Sequence, residues 1–279
     1  MAERFRAFSF VDRITELDPG VRAVGRYAIP VPVGRFPASL VAESVGQLAA
    51  WASMAKLEFR RRPVAGLAGQ VDFLAAASPG ETLDLEVHIN TCDDDAVAYG
   101  GSASIGGERI VVLADCVGPM LPIEEFDDPA ALLRDLETLL GPGAPAGRFS
   151  GVAARATNIL DRIPGERVRA ELRVPGSAPF FGDHFPRRPV FPGTLLLDSQ
   201  IELALALARE LPAFAGRSLV PACVRDVKIR AFTPPGQVLE LRVEVLEADA
   251  DRATLSLAAR GNGKPVSTGR VEIVSGRAG

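Results

Sequence analysis

The chain contains few of the residues that build metal sites or disulfide frameworks. Its 279 residues include only two histidines, His88 and His184, so a multi-histidine metal site is not expected. The three cysteines, Cys92, Cys116 and Cys223, lie far apart and form no CxxC pair. An odd number of separated cysteines favours buried free thiols over disulfides. We therefore expect a protein that binds no metal.

Long apolar runs and an excess of positive charge are also missing. No apolar run reaches the roughly 18 residues that a membrane-spanning helix needs. The first ten residues, MAERFRAFSF, lack the apolar stretch of a signal peptide. The formal net charge is −4, whereas nucleic-acid-binding proteins normally carry a basic face. With 47 % hydrophobic residues, the composition predicts a cytoplasmic protein with generous cores, no membrane span and no nucleic-acid partner.

Three groups of residues recur along the chain at a nearly constant spacing. The corresponding segments are Asp12–Ile14 with Asp161–Ile163, Arg35–Pro37 with His184–Pro186, and Pro79-Gly80 with Pro235-Gly236. The first two pairs are 149 positions apart and the third is 156 apart. Glu43-Ser44 matches Asp198-Ser199 if six residues are missing from the first copy. Such regular spacing indicates an internal duplication.

Each copy predicts the same order of elements: an extended lead-in, a loop, one long apolar helix and then several strands. The helices are predicted at about 39–57 and after Gly193, and the second is apolar nearly all round, which predicts burial. Strands are predicted at 83–89, 96–105 and 109–117, and at 227–232, 238–246, 252–260 and 266–274. Alternation of apolar and polar residues is clearest at Leu83–Val87, and His88, beside it, is expected at the surface or in sheet packing. One helix against an antiparallel sheet is an α+β arrangement.

A third helix and a linker are predicted between the copies. Asp128 is a favourable cap and Pro129 suits the first helical position, which predicts a helix to about Leu140. The glycine- and proline-rich residues 141–147 then predict a linker.

The most distinctive stretch is Phe180–Leu203, FFGDHFPRRPVFPGTLLLDSQIEL. It places His184 among phenylalanines in a loop with three prolines, which restrict the backbone and can hold an imidazole in place. Gly193 then allows a backbone N–H to approach a ligand at a helix start, where the first amides lack intrahelical partners and favour negative charge. Asp198 lies inside the apolar helix and needs a partner, because a buried unpaired carboxylate is costly.

These residues resemble the hot-dog-fold (3R)-hydroxyacyl-[acyl-carrier-protein] dehydratases of fatty acid synthesis, whose members carry a G-H-F-P-x-x-P-x-x-P-G loop. His184-Phe185-Pro186 and Pro189–Gly193 match that loop, and Asp198 is the acidic residue fourteen positions after the histidine. Asp183 stands where the family has glycine. The first copy lacks the P-x-x-P-G part, and its Glu43–Gln47 helix segment, ESVGQ, is closer to the family's E-A-x-x-Q. The resemblance covers nearly the whole chain and implies a double hot dog.

The resemblance also implies which residues form the site. In the family each site is shared between two hot dogs, so His184 and Gly193 of the second copy would meet Glu43 and Gln47 of the first. His184 would be the base, Glu43 the acid, Gly193 the oxyanion donor and Gln47 an orienting neighbour. The implied substrate-binding residues are Gln47, Phe181, Phe185, Pro192 and Asp198. The opposite site would pair Arg35, at the histidine position, with Asp198 and is expected to be inactive. Asp198 remains the alternative acid, and an ion pair with Arg35 is its other expected role.

The implied organisation is a first hot dog at residues 1–122, a linker with a short helix at 123–150 and a second hot dog at 151–279, forming a pseudo-dimer within one chain. The implied activity is removal of water from (3R)-hydroxyacyl thioesters of acyl carrier protein or CoA, without a cofactor, in fatty acid, polyketide or related lipid synthesis. A hot-dog thioesterase and a non-catalytic acyl-chain-binding protein remain alternatives, and further homodimerisation is left open. Arg60–Arg62, placed at the end of the first helix, and Arg187-Arg188 are candidate contacts for a carrier protein or ordinary surface charges.

Overall fold

The computed structural model describes residues 5, 7–145, 149–151 and 157–276, and these form one large antiparallel sheet with three α-helices. The strands are β1 Arg13–Asp18, β2 Arg22–Ala28, β3 Arg61–Pro63, β4 Leu67–Phe73, β5 Thr82–Cys92, β6 Ala96–Ile105, β7 Glu108–Pro122, β8 Thr157–Ile163, β9 Arg167–Arg173, β10 Leu219–Ile229, β11 Val238–Ala248, β12 Arg252–Gly261 and β13 Lys264–Ser275. The helices are α1 Ala38–Lys56, α2 Pro129–Leu140 and α3 Gly193–Ala208. None of these helices is long and apolar enough to span a membrane.

The sheet has the same strand order from each edge towards its middle. From one edge the order is β1-β2-β5-β6-β7-β4, and from the other it is β8-β9-β11-β12-β13-β10. The two series meet where β4 pairs with β10, for example at Val71 opposite Val224. The short strand β3 pairs with β7 outside this path. Because α1 packs on β5 and β6 while α3 packs on β10 and β11, the β4–β10 pairing brings the two helices into contact.

The sequence patterns explain the long helices and the alternating strands. In α1, Val45 and Leu48 are fully buried, and the buried Ser44 hydroxyl donates to the Leu40 carbonyl 2.9 Å away, which satisfies it inside the helix. In β5, Leu83 and Leu85 are buried while the residues between them are not, as the alternation predicts. His88 lies exposed on the same strand, with Nε2 3.3 Å from Glu86.

Several boundaries differ from the sequence-based predictions. The strand expected at 227–232 is β10, which begins at Leu219 and ends at Ile229, and a bulge follows Pro221 in its pairing with β13. Strand β7 continues to Pro122, beyond the predicted residue 117. The first helix ends at Lys56, so Arg60–Arg62 are not at its end; Arg61 and Arg62 begin β3. Pairing with a neighbouring strand, which periodicity does not report, fixes these limits.

The connection between the halves contains the predicted helix. The Asp128 side chain accepts from the N–H groups of Ala130 at 2.9 Å and Ala131 at 3.4 Å, and Pro129 is the first residue of α2. Both parts of the capping prediction are therefore confirmed. Residues 146 and 147 of the predicted linker, and residues 152–156 near the start of the predicted second domain, lie outside the described residues. The domain limits at 122 and 151 stay predictions.

The cysteine prediction is confirmed in its main point. Cys92, Cys116 and Cys223 are all free thiols; Cys116 and Cys223 are buried, whereas Cys92 is half-buried.

An ion pair joins the loop before α1 to α3. Arg35 Nη2 lies 2.8 Å from Asp198 Oδ1, and Arg35 Nη1 also contacts the Glu202 carboxylate. The Asp198 side chain is only 5 % exposed, so the guanidinium compensates a carboxylate that has little access to water. The expected ion pair between Arg35 and Asp198 is confirmed.

Replacing Arg35 with alanine should lower the free energy of unfolding by about 1–3 kcal/mol, because it removes a partner of a buried carboxylate. Urea denaturation measures this change. Arg26→Ala is the matched control, since Arg26 pairs with Asp84 on the surface and such pairs contribute about 0–1 kcal/mol. A loss no larger than that of the control would contradict the structural role assigned to Arg35.

Candidate active site

A cavity of about 260 Å³ lies where the two halves meet. Apolar side chains from both halves form much of its wall, among them Val71, Val97, Leu113, Leu196, Val224 and Val227. Five of the eight site residues predicted from the sequence also line it: Glu43, Gln47, His184, Phe185 and Gly193. The cavity therefore brings together residues that are more than a hundred positions apart in the chain.

The other three predicted residues do not line the cavity. Phe181 is buried against Phe180, with ring centroids 4.6 Å apart. Pro192 precedes α3, and its carbonyl accepts from the N–H groups of Leu195 and Leu196, each at 3.1 Å. Asp198 is held by Arg35. Their assignment to substrate binding stays a prediction.

His184 is fixed in its loop by one hydrogen bond and two aromatic neighbours. Its Nδ1–H donates to the Val190 carbonyl at 3.1 Å, which leaves Nε2 as the nitrogen able to accept a proton. The Phe185 ring lies 4.3 Å from the imidazole centroid on one side, and Phe8 meets it edge-on at 5.4 Å. Burial is the main cause that lowers the pKa of His184 to about 3; the hydrogen bond to Val190 opposes this shift and the positive charge of Arg62 adds to it. The imidazole is neutral at physiological pH.

The backbone of this loop is itself tightly constrained. Phe185 has a φ of 64°, a left-handed conformation that is uncommon for a bulky residue. Its carbonyl accepts from the Arg188 N–H at 2.9 Å, and its ring packs against Phe126 at 5.0 Å. The Phe126 carbonyl also accepts from the Arg187 N–H at 3.0 Å. The segment after β7 therefore braces the histidine loop.

Glu43 reaches the same cavity from the first turns of α1. Gln47, one turn later, donates from Nε2 to Glu43 Oε1 at 3.1 Å, and Thr194 of α3 donates from Oγ1 to Glu43 Oε2 at 2.8 Å. Burial raises the pKa of Glu43, while these two hydrogen bonds and Arg62 oppose the rise. The Gln47 amide nitrogen can only donate, whereas the Thr194 hydroxyl can also accept, so the proton of the neutral acid belongs on Oε2, where it can be donated to Thr194 Oγ1. The contact with Thr194 joins the two halves at the site.

Gly193 lines the cavity and carries a backbone N–H group at the start of α3. It is the first residue of α3, so its N–H has no intrahelical partner and lies at the positive end of the helix dipole. A Cβ at this position would lie 3.4 Å from Ile229 Cδ1, another lining residue. That is an ordinary van der Waals distance, so the role of this position rests on the helix N-terminus at the cavity wall, which favours a negatively charged ligand group.

Arg62 is a part of the site that sequence reasoning assigned elsewhere. It lines the cavity, its guanidinium carbon lies 4.6 Å over the Phe185 ring, and it pairs with the fully buried carboxylate of Asp127. Arg60 and Arg61, by contrast, lie near Asp94 at 3.1 and 3.6 Å. No local sequence pattern distinguishes Arg62 from its two neighbours. Thr194 was also missed, although it directly follows Gly193 in the recognised motif.

The Arg35 cluster occupies the positions that mirror this site. Under the offsets of the sequence repeat, Arg35 corresponds to His184, Asp198 to Glu43 and Glu202 to Gln47. The three side chains form a connected ion cluster instead of a cavity-lining acid and base. An arginine cannot accept a proton at physiological pH, so this arrangement lacks a base. Among the described residues there is also no group of three His, Cys, Asp or Glu side chains able to hold a metal ion.

Comparison with known proteins gives relatives that match part of the chain and structural neighbours that match most of it. The ApeI-like family, described as ApeI dehydratase, matches residues 161–270. The 3-hydroxyacyl-[acyl-carrier-protein] dehydratase FabZ of Enterococcus faecalis is 32 % identical over 119 residues, which are 43 % of this chain and 84 % of that protein. FabZ of Lactiplantibacillus plantarum is 30 % identical over 121 residues, or 42 % and 82 % of the two chains.

Solved structures extend the likeness in fold to both halves. A putative oleoyl thioesterase from Lactobacillus plantarum matches 91 % of this chain and 96 % of its own, with a TM-score of 0.59 and 10 % identity. The tesB protein of Mycobacterium avium subs paratuberculosis matches 94 % and 96 %, with a TM-score of 0.59 and 14 % identity. At such identity the likeness establishes a hot-dog-like fold and leaves the activity open. The sequence relatives decide the family: the chain belongs to the FabZ-type 3-hydroxyacyl-[acyl-carrier-protein] dehydratase family of hot-dog proteins.

Proposed function

We propose that this protein removes water from (3R)-hydroxyacyl thioesters carried by acyl carrier protein and forms trans-2-enoyl thioesters in lipid synthesis. One observation carries the proposal: His184 and Glu43 line one apolar cavity from opposite halves, and burial favours the uncharged form of both. A neutral imidazole can accept a proton and a neutral carboxyl can donate one, which are the two transfers that dehydration needs.

The proposed reaction uses both groups in one site. His184 Nε2 takes the proton from C2 of the acyl chain, and Glu43 Oε2 gives its proton to the hydroxyl on C3. The C3–O bond breaks, water leaves, and the electron pair from the C2–H bond forms the C2–C3 double bond. His184 ends protonated and Glu43 ends ionised. Transfer of one proton from His184 to Glu43 then restores both groups.

Backbone amide groups would stabilise the negative charge that develops on the thioester oxygen. Gly193 begins α3 and lines the cavity, so its N–H is the candidate donor, assisted by the helix dipole. In other enzymes the loss of one such donor costs about 2.7–4 kcal/mol of transition-state stabilisation. Gln47 contributes by holding Glu43 Oε1, which leaves Oε2 for the proton that is transferred.

We further propose that the chain is a tandem of two hot dogs, at residues 1–122 and 151–279, joined by residues 123–150. The corresponding strand order from each sheet edge and the sequence repeat support this division. The tandem would form a pseudo-dimer with one working site, made of His184 and Gly193 from the second half and Glu43 and Gln47 from the first. The mirror positions, held in the Arg35 ion cluster, would be inactive.

Replacing His184 with alanine or Glu43 with glutamine should lower the rate by about 10²–10⁴-fold, because each change removes one proton-transfer group. The measurement is the reverse reaction, hydration of a trans-2-enoyl thioester, which is monitored as the loss of the enoyl absorbance. Asp198→Asn is the matched carboxylate control and should keep activity close to wild type, since Asp198 lies in the Arg35 ion cluster.

Three other results would reject parts of the proposal. If Asp198→Asn abolishes hydration while Glu43→Gln retains it, Asp198 is the acid and the cross-half assignment is wrong. If the wild type releases free thiol from acyl thioesters without hydrating enoyl thioesters, it is a thioesterase. If the wild type binds several chain lengths and converts none, it is an acyl-chain-binding protein.

The pH dependence of the reaction should report the protonation of Glu43. Only the protonated acid can donate, so kcat/KM should fall as pH rises through the pKa of Glu43. The hydroxyl of Thr194 stabilises the carboxylate and lowers that pKa, so Thr194→Val should move the alkaline limb of the profile to higher pH.

Ser44→Ala is the control for this prediction. Ser44 is next to Glu43 in sequence, but its hydroxyl bonds to the Leu40 carbonyl inside α1, so its removal should leave the limb in place. A Thr194→Val profile that is unchanged, or moved to lower pH, would contradict the assignment of Glu43 as the acid.

A further inference from the structure

A segment near the start of the described chain forms part of the cavity wall. Phe5, Phe8 and Ser9 line the cavity, although they belong to neither long helix nor to any strand. Phe8 is only 2 % exposed, and its ring packs against Phe10 with centroids 4.8 Å apart. The side chains of this segment are thus packed into the cavity wall, and its backbone groups have specific partners.

The backbone of Phe8 connects the two halves of the proposed site. Its N–H donates to Asp183 Oδ2 at 2.9 Å, and its carbonyl accepts from Gln47 Nε2 at 3.0 Å. Asp183 directly precedes His184, while Gln47 is one helical turn from Glu43 and donates to it. A single residue thus joins the loop that carries the proposed base to the helix that carries the proposed acid.

Neighbouring backbone groups reinforce both ends of this connection. The Ala7 N–H donates to the same Asp183 oxygen at 2.7 Å, and the Phe10 N–H donates to Gln47 Oε1 at 2.7 Å. Hydrogen bonds to an ionised carboxylate are stronger than those between neutral groups. The Gln47 amide in turn has all of its hydrogen atoms and its oxygen engaged, so it can hold only one orientation.

The side chain of Phe8 acts on His184 directly. Its ring meets the imidazole edge-on at 5.4 Å, with 78° between the ring planes, and the Phe185 ring centroid lies 4.3 Å from the imidazole. Together with the hydrogen bond to Val190, these contacts leave the imidazole little freedom. Displacement of Phe8 would loosen the histidine and open the cavity to water.

We infer that Phe8 is a positioning residue that sets the relative placement of His184 and Glu43, and that Asp183 is the latch that holds Phe8 in place. The inference rests on the proposed function, because it takes His184 and Glu43 as the reacting pair. It also gives a role to the aspartate that stands where the dehydratase motif has glycine: a glycine has no side chain to bind the Ala7 and Phe8 amides.

Asp183→Ala should lower kcat about 10–100-fold while changing KM much less, because misplacement of a catalytic group by about 1 Å can cost 10²-fold in rate. Asp183→Asn retains a side-chain acceptor and should recover part of the loss. Asp84→Ala is the matched control, since Asp84 pairs with Arg26 on the surface, and it should leave kcat unchanged. Equal kcat in wild type and Asp183→Ala would overturn the inference while leaving the proposed function intact.

Hydrogen exchange tests the latch without any reaction. The amides of Ala7 and Phe8 should exchange at least tenfold faster in Asp183→Ala than in wild type, with Asp183→Asn between them. Unchanged exchange would overturn the latch whether or not the protein is a dehydratase. If the wild type hydrates no enoyl thioester, the proposed function and the positioning role fall together, and exchange still decides whether Asp183 holds the segment.

A second variant covers the case in which Asp183→Ala does not fold. Phe8→Leu keeps an apolar side chain but removes the aromatic edge that faces His184. It should also lower kcat, with its melting temperature close to that of wild type. Wild-type kcat in this variant would overturn the positioning role of Phe8.

Discussion

The pairing of β4 with β10 is the contact on which the rest of the molecule depends. It joins two series of strands into one sheet, and because each series carries its own long helix, it also sets α1 beside α3. The cavity lies at that junction and takes its wall from both sides. Neither half alone contains both proposed proton-transfer groups, since Glu43 lies in α1 and His184 lies in the loop before α3. The hydrogen bond from Thr194 to Glu43 links the sheet pairing to the proposed chemistry. It holds the proposed acid of one half against the start of α3 in the other half.

Burial of His184 and Glu43 favours the uncharged form of each side chain. Burial penalises whichever form is charged, so the same apolar surroundings lower the pKa of His184 and raise that of Glu43. The proposed base and the proposed acid are thereby both favoured in their uncharged forms. Arg62 is a charged residue in the same cavity wall, and two contacts stabilise it there. The buried Asp127 carboxylate balances its charge, and the Phe185 ring covers one face of its guanidinium. The charge nevertheless lowers the pKa of both reacting groups, so Arg62 helps to keep His184 neutral and opposes the protonation of Glu43.

The sequence predicts those parts of the structure that depend on local pattern. The capping of α2 by Asp128, the alternation in β5 and the apolar character of α3 follow from neighbouring residues, and all three are present. The sequence also predicts that Glu43 and His184 lie in one site, because the repeat relates the two halves and the family resemblance implies a shared site. The remaining features depend on contacts between distant segments. No local pattern indicates that Asp183 binds the Ala7 and Phe8 amides, that Arg62 and not Arg60 enters the cavity, or that β10 begins eight residues before its predicted start.

In the proposed tandem, a fused pair of similar halves need not contain two working sites. In separate identical subunits, any change at the histidine position would occur in both sites at once. Within one chain the two corresponding positions can differ, and here they are Arg35 and His184. An arginine at that position cannot act as a base, but it compensates the carboxylate of Asp198, which is buried in the apolar helix α3. The half without the histidine instead forms an ion pair across the junction, and the same junction places Glu43 against Thr194 in the proposed site. In the proposed arrangement, the same interface accounts for the ion cluster at the mirror positions and for the placement of the proposed acid.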